Sequence, residues 1–91
     1  MIIRYFAMLR DATRKSEERR EIPPPSIREL LDELCASYGQ SFRQWILDEH
    51  GNVGGLAIVL VNGVDYRHLN GLETALKDDD VVAIFPPVAG G

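Results

Sequence analysis

The stretch Pro23-Pro24-Pro25-Ser26-Ile27-Arg28-Glu29-Leu30-Leu31-Asp32-Glu33-Leu34-Cys35-Ala36-Ser37-Tyr38-Gly39 contains the most firmly specified element of this 91-residue sequence. Ile27, Leu30, Leu31, Leu34, Cys35 and Tyr38 recur at helical spacing and make one apolar stripe. Ser26 stands where an N-cap is needed, and Glu29 follows at the capping-box interval. The three prolines cannot continue a preceding strand and stiffen the approach to the helix. Gly39 suits the left-handed position after the last turn. One helix with one apolar face needs a partner layer, and the flanking sequence supplies strands for it.

On the N-terminal side, Met1 to Leu9 is rich in β-branched and aromatic residues and reads as a strand. With Arg4 toward solvent, the two-residue period puts Ile3, Tyr5, Ala7 and Leu9 on the core face, and Phe6 and Met8 on the other. Residues 10–17 are polar and turn-like, and Glu18 to Ile22 reads as a short charged strand returning antiparallel. On the C-terminal side, Phe42, Trp45 and Ile46 suggest a second, short helical turn packed on the first. His50 to Gly55 reads as a loop. Leu56 to Val61 is an apolar run that reads as a central strand, covered on both sides or partly exposed to a partner, ending at the Asn62-Gly63 turn. Asp65 to Asn70 reads as irregular, with room for a short edge strand, Leu72 to Leu76 as a helical turn, and Asp78-Asp79-Asp80 as an acidic turn. Val81 to Phe85 is the last strand, stopped by Pro86 and Pro87. The fold class is therefore α+β: a mixed sheet with one main helix packed on one face and the other face without helical cover. Residues 1–86 form the domain and residues 87–91 a flexible tail ending in Gly-Gly.

Composition narrows the function. The chain is 45% hydrophobic and 26% charged, as expected of a folded domain rather than a disordered one. No apolar run reaches the roughly 20 residues of a membrane span, and no signal-peptide pattern is present, so the expected compartment is the cytoplasm, with no membrane partner. A net charge of -4 argues against nucleic acid as a partner. The charge is uneven: residues 1–21 carry six basic and four acidic side chains, and residues 22–91 four basic and ten acidic. One cysteine and two scattered histidines cannot form a structural zinc site, so no metal site is expected.

The terminal Phe85-Pro86-Pro87-Val88-Ala89-Gly90-Gly91 carries the chemical signal. Pro86-Pro87 favours an extended exit from the sheet. Glycines without a Cβ can thread a narrow channel and let a second active site close around a terminal carboxylate. A carboxylate is a poor electrophile and needs activation, for example by adenylation. The chain has no phosphate-cradling Gly-x-x-x-x-Gly-Lys loop of its own, so the activating enzyme must be another protein.

That ending, after an acidic turn and a hydrophobic strand, resembles the ending of the small subunit of molybdopterin synthase. The opening Tyr5-Phe6-Ala7-Met8-Leu9-Arg10 resembles that family's first strand, and the similarity covers nearly the whole chain. Apart from the tail, the pattern is the β-grasp one shared with thiamine sulfur carriers and ubiquitin. The resemblance implies a β-grasp, ubiquitin-like fold and a sulfur carrier with no permanently bound cofactor. An E1-like enzyme would adenylate the Gly91 carboxylate with ATP and magnesium, a persulfide donor would supply sulfur, and a thiocarboxylate would result. The tail, with Gly90 behind Gly91, would insert into the molybdopterin synthase large subunit and pass sulfur to a pterin precursor in molybdenum or tungsten cofactor synthesis. The resemblance also places Phe6, Arg10, Phe85, Pro86, Pro87, Val88 and Ala89 at positions that contact partners. Alternation independently puts Phe6 and Phe85 on the uncovered sheet face, unless the Gln40–Ile46 segment folds over them.

Other side chains read as structural. Cys35 lies in the apolar stripe, Trp45 reads as packing, His50 and His68 lack ligand spacing, and Asp78 to Asp80 read as a solvated turn. Two other functions share the same tail: a sulfur carrier for another route such as the thiamine thiazole, and a protein modifier joined through Gly91 to lysines. A plain interaction module with an inert tail is a third.

Overall fold

The computed structural model describes residues 1–52 and 57–87. The expectations for Gly54, Gly55 and Leu56, and for Val88, Ala89, Gly90 and Gly91, lie outside the described residues. Five strands form one mixed sheet: β1 (Ile2–Tyr5), β2 (Glu17–Arg19), β3 (Ile58–Val61), β4 (Val64–Asp65) and β5 (Val81–Phe85), in the spatial order β2-β1-β5-β3-β4. β5 is parallel to β1 and antiparallel to β3, and β2 and β4 pair antiparallel at the edges. Three helices accompany the sheet: α1 (Met8–Thr13), α2 (Ile27–Tyr38) and α3 (Gln40–Ile46).

α2 forms where its stripe requires it. The Ser26 hydroxyl accepts the Glu29 backbone N–H at 3.4 Å, and Ile27, Leu30, Leu31, Leu34 and Cys35 are buried. Each large aliphatic side chain of that stripe contributes about 1.5–3 kcal/mol of burial free energy. Against it the sheet sets Ile3 and Tyr5 from β1, Val82 and Ile84 from β5, and Val59 and Val61 from β3, all buried by the two-residue alternation. Gly39 ends α2 and starts α3 with φ +73° and ψ -156°. Its φ is positive as expected, but its ψ lies outside the left-handed helical basin. α3 packs on both α1 and α2 and lowers Phe42 and Ile46 into the core. Asn62 (φ +52°) and Gly63 (φ +85°) close the β3–β4 hairpin in a two-residue turn, the conformation for which Asn-Gly is suited.

The first strand is shorter than the sequence suggests. β1 ends at Tyr5, and Ala7 breaks the chain at φ +53°, ψ -129°. Residues 8–13, expected as strand and turn, form α1 instead. Leu9, Ala12 and Thr13 satisfy a helical stripe as well as Leu9 satisfies a strand, and the Thr13 hydroxyl donates to the Leu9 carbonyl at 2.9 Å. Leu9 is buried as expected, but Ala7 is exposed. β2 covers Glu17–Arg19 rather than Glu18–Ile22, and Ile22 is exposed. The helical turn expected at Leu72–Leu76 is a 3-10 turn at Gly71–Glu73. α3 forms where Phe42, Trp45 and Ile46 suggested a second, short helical turn, and α1 is the helix the sequence reading missed.

The acidic turn is solvated at Asp78 and Asp79, as expected, but not at Asp80. Asp80 is buried, accepting the Asn62 side-chain amide at 2.8 Å and the Lys77 backbone N–H at 2.8 Å. The Met1 ammonium donates to the Arg20 and Asp78 carbonyls at 2.8 and 2.5 Å.

Candidate functional site: the aromatic end of the sheet

Because β5 runs parallel to β1 with Tyr5 opposite Ile84, the residues that follow each, Phe6 and Phe85, leave the sheet side by side. Their rings stack with centroids 4.2 Å apart and planes 12° from parallel, and both remain half-buried. Ile58 of β3 is the cross-strand partner of Phe85, so the apolar row continues as Phe6, Phe85 and Ile58. Behind it, Leu60, Ala83 and Arg4 make the next row in register. Ile58, Leu60 and Ala83 are only half-buried, while their in-strand neighbours Val59, Val61, Val82 and Ile84 are buried.

Among the described residues no helix covers this face. Tyr5 points the opposite way and meets Tyr38 of α2 and Phe42 of α3 edge-on, at 6.1 and 6.2 Å between ring centroids. The Gln40–Ile46 segment therefore packs on the helical side and leaves Phe6 and Phe85 open. Pro86, buried, and Pro87, half-buried, follow Phe85 directly and end the ladder because neither has an N–H to donate. Arg10 is exposed on α1, about one turn beyond Phe6. The structure thus gathers Phe6, Phe85 and Pro86-Pro87 at one end of the sheet. Val88, Ala89, Gly90 and Gly91 lie outside the described residues.

Two features were left open or unseen in the sequence. Ile58 and Leu60 share the open face, a placement that alternation against the buried Val59 and Val61 signals once the strand is located. The second is a polar tie beneath the helices. The Glu18 carboxylate of β2 accepts hydrogen bonds from the hydroxyls of Tyr5 and Tyr38, the latter at 2.7 Å, and Arg20 lies 3.7 Å from its second oxygen. Burial pushes the Glu18 carboxyl up, but the two phenols with Lys15 and Arg20 outweigh it and hold the group below its ordinary value. Burial and the Glu18 hydrogen bond drive the Tyr5 phenol far above its ordinary value.

The remaining candidates are structural. Cys35 is 3% exposed and burial pushes its thiol up, which removes the thiolate a sulfur relay needs. Trp45 packs against the core, His50 is exposed beside Glu49, and His68 is exposed. Among the described residues no three His, Cys, Asp or Glu side chains assemble as a ligand set. No described helix is long and apolar enough to cross a membrane.

A five-stranded mixed sheet grasping one long helix, with a bare face and a terminal strand in the middle, defines a β-grasp, ubiquitin-like protein. The chain belongs to the ThiS family, whose model matches residues 3–91, a family of sulfur carriers and ubiquitin-like modifiers. It is 41% identical over 91 residues to small archaeal modifier protein 3 of Haloferax volcanii, covering 98% of this chain and 96% of that one. It superposes on small archaeal modifier protein 1 of Methanosarcina acetivorans with a TM-score of 0.80 at 33% identity, over 99% of this chain and 94% of that one. A Pyrococcus furiosus structure assigned as molybdopterin converting factor subunit 1 matches with a TM-score of 0.71 at 29% identity, over 96% of this chain and 95% of that one.

Proposed function

We propose that this chain is a sulfur carrier that works in the cytoplasm as the small subunit of molybdopterin synthase. An E1-like enzyme binds the open sheet face and adenylates the Gly91 carboxylate, whose oxygen attacks the α-phosphorus of magnesium-bound ATP and expels pyrophosphate. The terminal sulfur of a persulfide then attacks the Gly91 carbonyl and AMP leaves. A thiol cleaves the resulting S–S bond, leaving a thiocarboxylate here and a disulfide on the donor side. The large subunit receives the tail and directs the sulfur to a pterin precursor. In this reading Phe6, Phe85 and Arg10 dock the partners, Pro86 and Pro87 direct the exit, and Val88 to Gly90 lie in the partner's channel.

The observation that supports this best is the stacked Phe6–Phe85 pair on an uncovered apolar face, immediately before Pro86-Pro87. Exposed apolar surface of this kind marks an interaction site, and here it stands at the root of the segment that carries the reactive end. The 41% identity to small archaeal modifier protein 3 favours a second reading, in which the same Gly91 adenylate is taken by lysine amines of other proteins. Reconstitution with the activating enzyme, ATP, magnesium and a persulfide donor tests the first reading. A thiocarboxylate at Gly91, consumed when the large subunit and pterin precursor are added, is the expected result. Gly91 amide-linked to lysines with no thiocarboxylate formed would replace it with the second.

A further inference from the structure

Resting on the reading in which Phe6, Phe85 and Arg10 dock the activating enzyme, we propose that Met8 is an oxidation site whose conversion to the sulfoxide weakens that docking. The sequence holds three sulfur-bearing side chains, Met1, Met8 and Cys35. The fold sorts them by access. Met1 is 5% exposed and Cys35 3%, whereas Met8 is 36% exposed. Burial also pushes the Cys35 thiol up and keeps it protonated, which makes it a slow target for an oxidant. Of the three, Met8 is the one that offers its sulfur to a peroxide.

The position of Met8 comes from the break at Ala7. The φ of +53° there turns the chain out of β1 and starts α1 at Met8. The side chain that strand alternation would lay on the sheet face with Phe6 stands on a helix instead. It lines an open groove of about 510 Å³ between α1 and α3, with Asp11 and Arg14 on one side and Gln44 and Trp45 on the other. Met8 also falls midway in sequence between Phe6 and the exposed Arg10. Two residues of chain span at most about 7 Å, so a partner that contacts both Phe6 and Arg10 covers Met8. A flexible thioether adapts to an apolar partner surface, whereas a sulfoxide is polar and needs a donor for its oxygen. Buried at the contact without one, that oxygen costs binding free energy.

The oxidant is a hydroperoxide, such as hydrogen peroxide. The Met8 thioether sulfur attacks one peroxide oxygen, the S–O bond forms and the O–O bond breaks. The proton of the transferred oxygen passes to the departing hydroxide, which leaves as water. The sulfur is oxidised by two electrons and the peroxide is reduced by two.

The test uses the full chain with Gly91 as a free carboxylate, so that no carried sulfur competes. Wild type and Met8→Leu are treated with hydrogen peroxide, freed of it, mapped by mass spectrometry, melted, and titrated by calorimetry against the adenylating enzyme of the same organism. Met8 should gain oxygen about tenfold faster than Met1, following its exposure. The oxidised wild type should then bind about tenfold more weakly than the untreated chain, with its melting point unchanged. Treated and untreated Met8→Leu should bind alike. Met1 or Cys35 reacting as fast as Met8 overturns the proposal, and so does an unchanged affinity once Met8 is fully oxidised. A loss of affinity that treated Met8→Leu shares, or that accompanies a lowered melting point, places the effect elsewhere and also overturns it. An untreated chain that fails to bind the enzyme at all defeats the docking reading and the proposal with it.

Discussion

Replacing Phe85 separates two duties the structure assigns to one ring. Phe85 is half-buried and stacked on Phe6 at 4.2 Å. A fully buried Phe contributes roughly 1.5–3 kcal/mol, so half of that, about 1 kcal/mol, is lost in Phe85→Ala. The ring pair adds about 0.5–1.5 kcal/mol beyond area. The expected destabilisation is thus about 2 kcal/mol, and each kcal/mol moves the melting point of a domain this size by roughly 4–8 °C. Phe6→Ala loses the same stacking, so the double variant should cost about 3 kcal/mol rather than 4, a coupling of about 1 kcal/mol. Urea denaturation of the four proteins measures this. Phe85→Asp also puts a charge into the apolar contact, and titration calorimetry against the activating enzyme should show binding about 30-fold weaker, the equivalent of 2 kcal/mol. Additive stabilities would mean that the rings do not support each other, and unchanged affinity for both activating enzyme and large subunit would remove Phe85 from the interface.

Three further substitutions probe the frame. Glu18 has a lowered folded-state pKa, so its contribution is present above its ordinary value of 4.5 and is lost as pH falls through the folded value. Glu18→Gln should therefore melt lower than wild type at pH 7 and approach it as the pH is taken down to about 3; parallel melting curves across that range would refute the tie. Asp80→Ala strips the Asn62 amide and the Lys77 N–H of their acceptor and should cost about 2–3 kcal/mol by chemical denaturation, whereas an unchanged midpoint would show the turn to be self-supporting. Ala7→Gly relieves a positive φ worth about 1–3 kcal/mol against an entropic cost of 0.5–1, so a gain of about 1 kcal/mol is expected, and a loss would mean that Ala7 is unstrained.

Where periodicity and punctuation agree, the sequence was legible. Ser26, Glu29, the Ile27-to-Tyr38 stripe and Gly39 mark α2 at both ends, and Val81–Phe85 is bounded by Asp80 and Pro86 as expected. α1 was not legible because Phe6 to Thr13 is short enough to satisfy periods of two and of 3.6 alike. The break at Ala7 needs a positive φ that alanine does not advertise. Phe6 still fell on the open face as expected, because it follows the inward-facing Tyr5. Its stacking on Phe85 depends on the parallel β1–β5 register, which no local pattern encodes. The Tyr5–Glu18–Tyr38 tie joins residues 13 and 20 positions apart and leaves no mark on any single segment.

Gly91 itself offers the most direct test. Intact-mass analysis of the chain from its native host, with the C-terminal peptide mapped and thiols alkylated to exclude oxidised Met1 or Met8, reads the state of the terminal carboxyl. One oxygen replaced by sulfur at Gly91 is the expected result, lost when Gly91 is deleted while the melting point stays unchanged. A plain carboxylate that persists when the activating enzyme, ATP and sulfur donor are all supplied would contradict the carrier function.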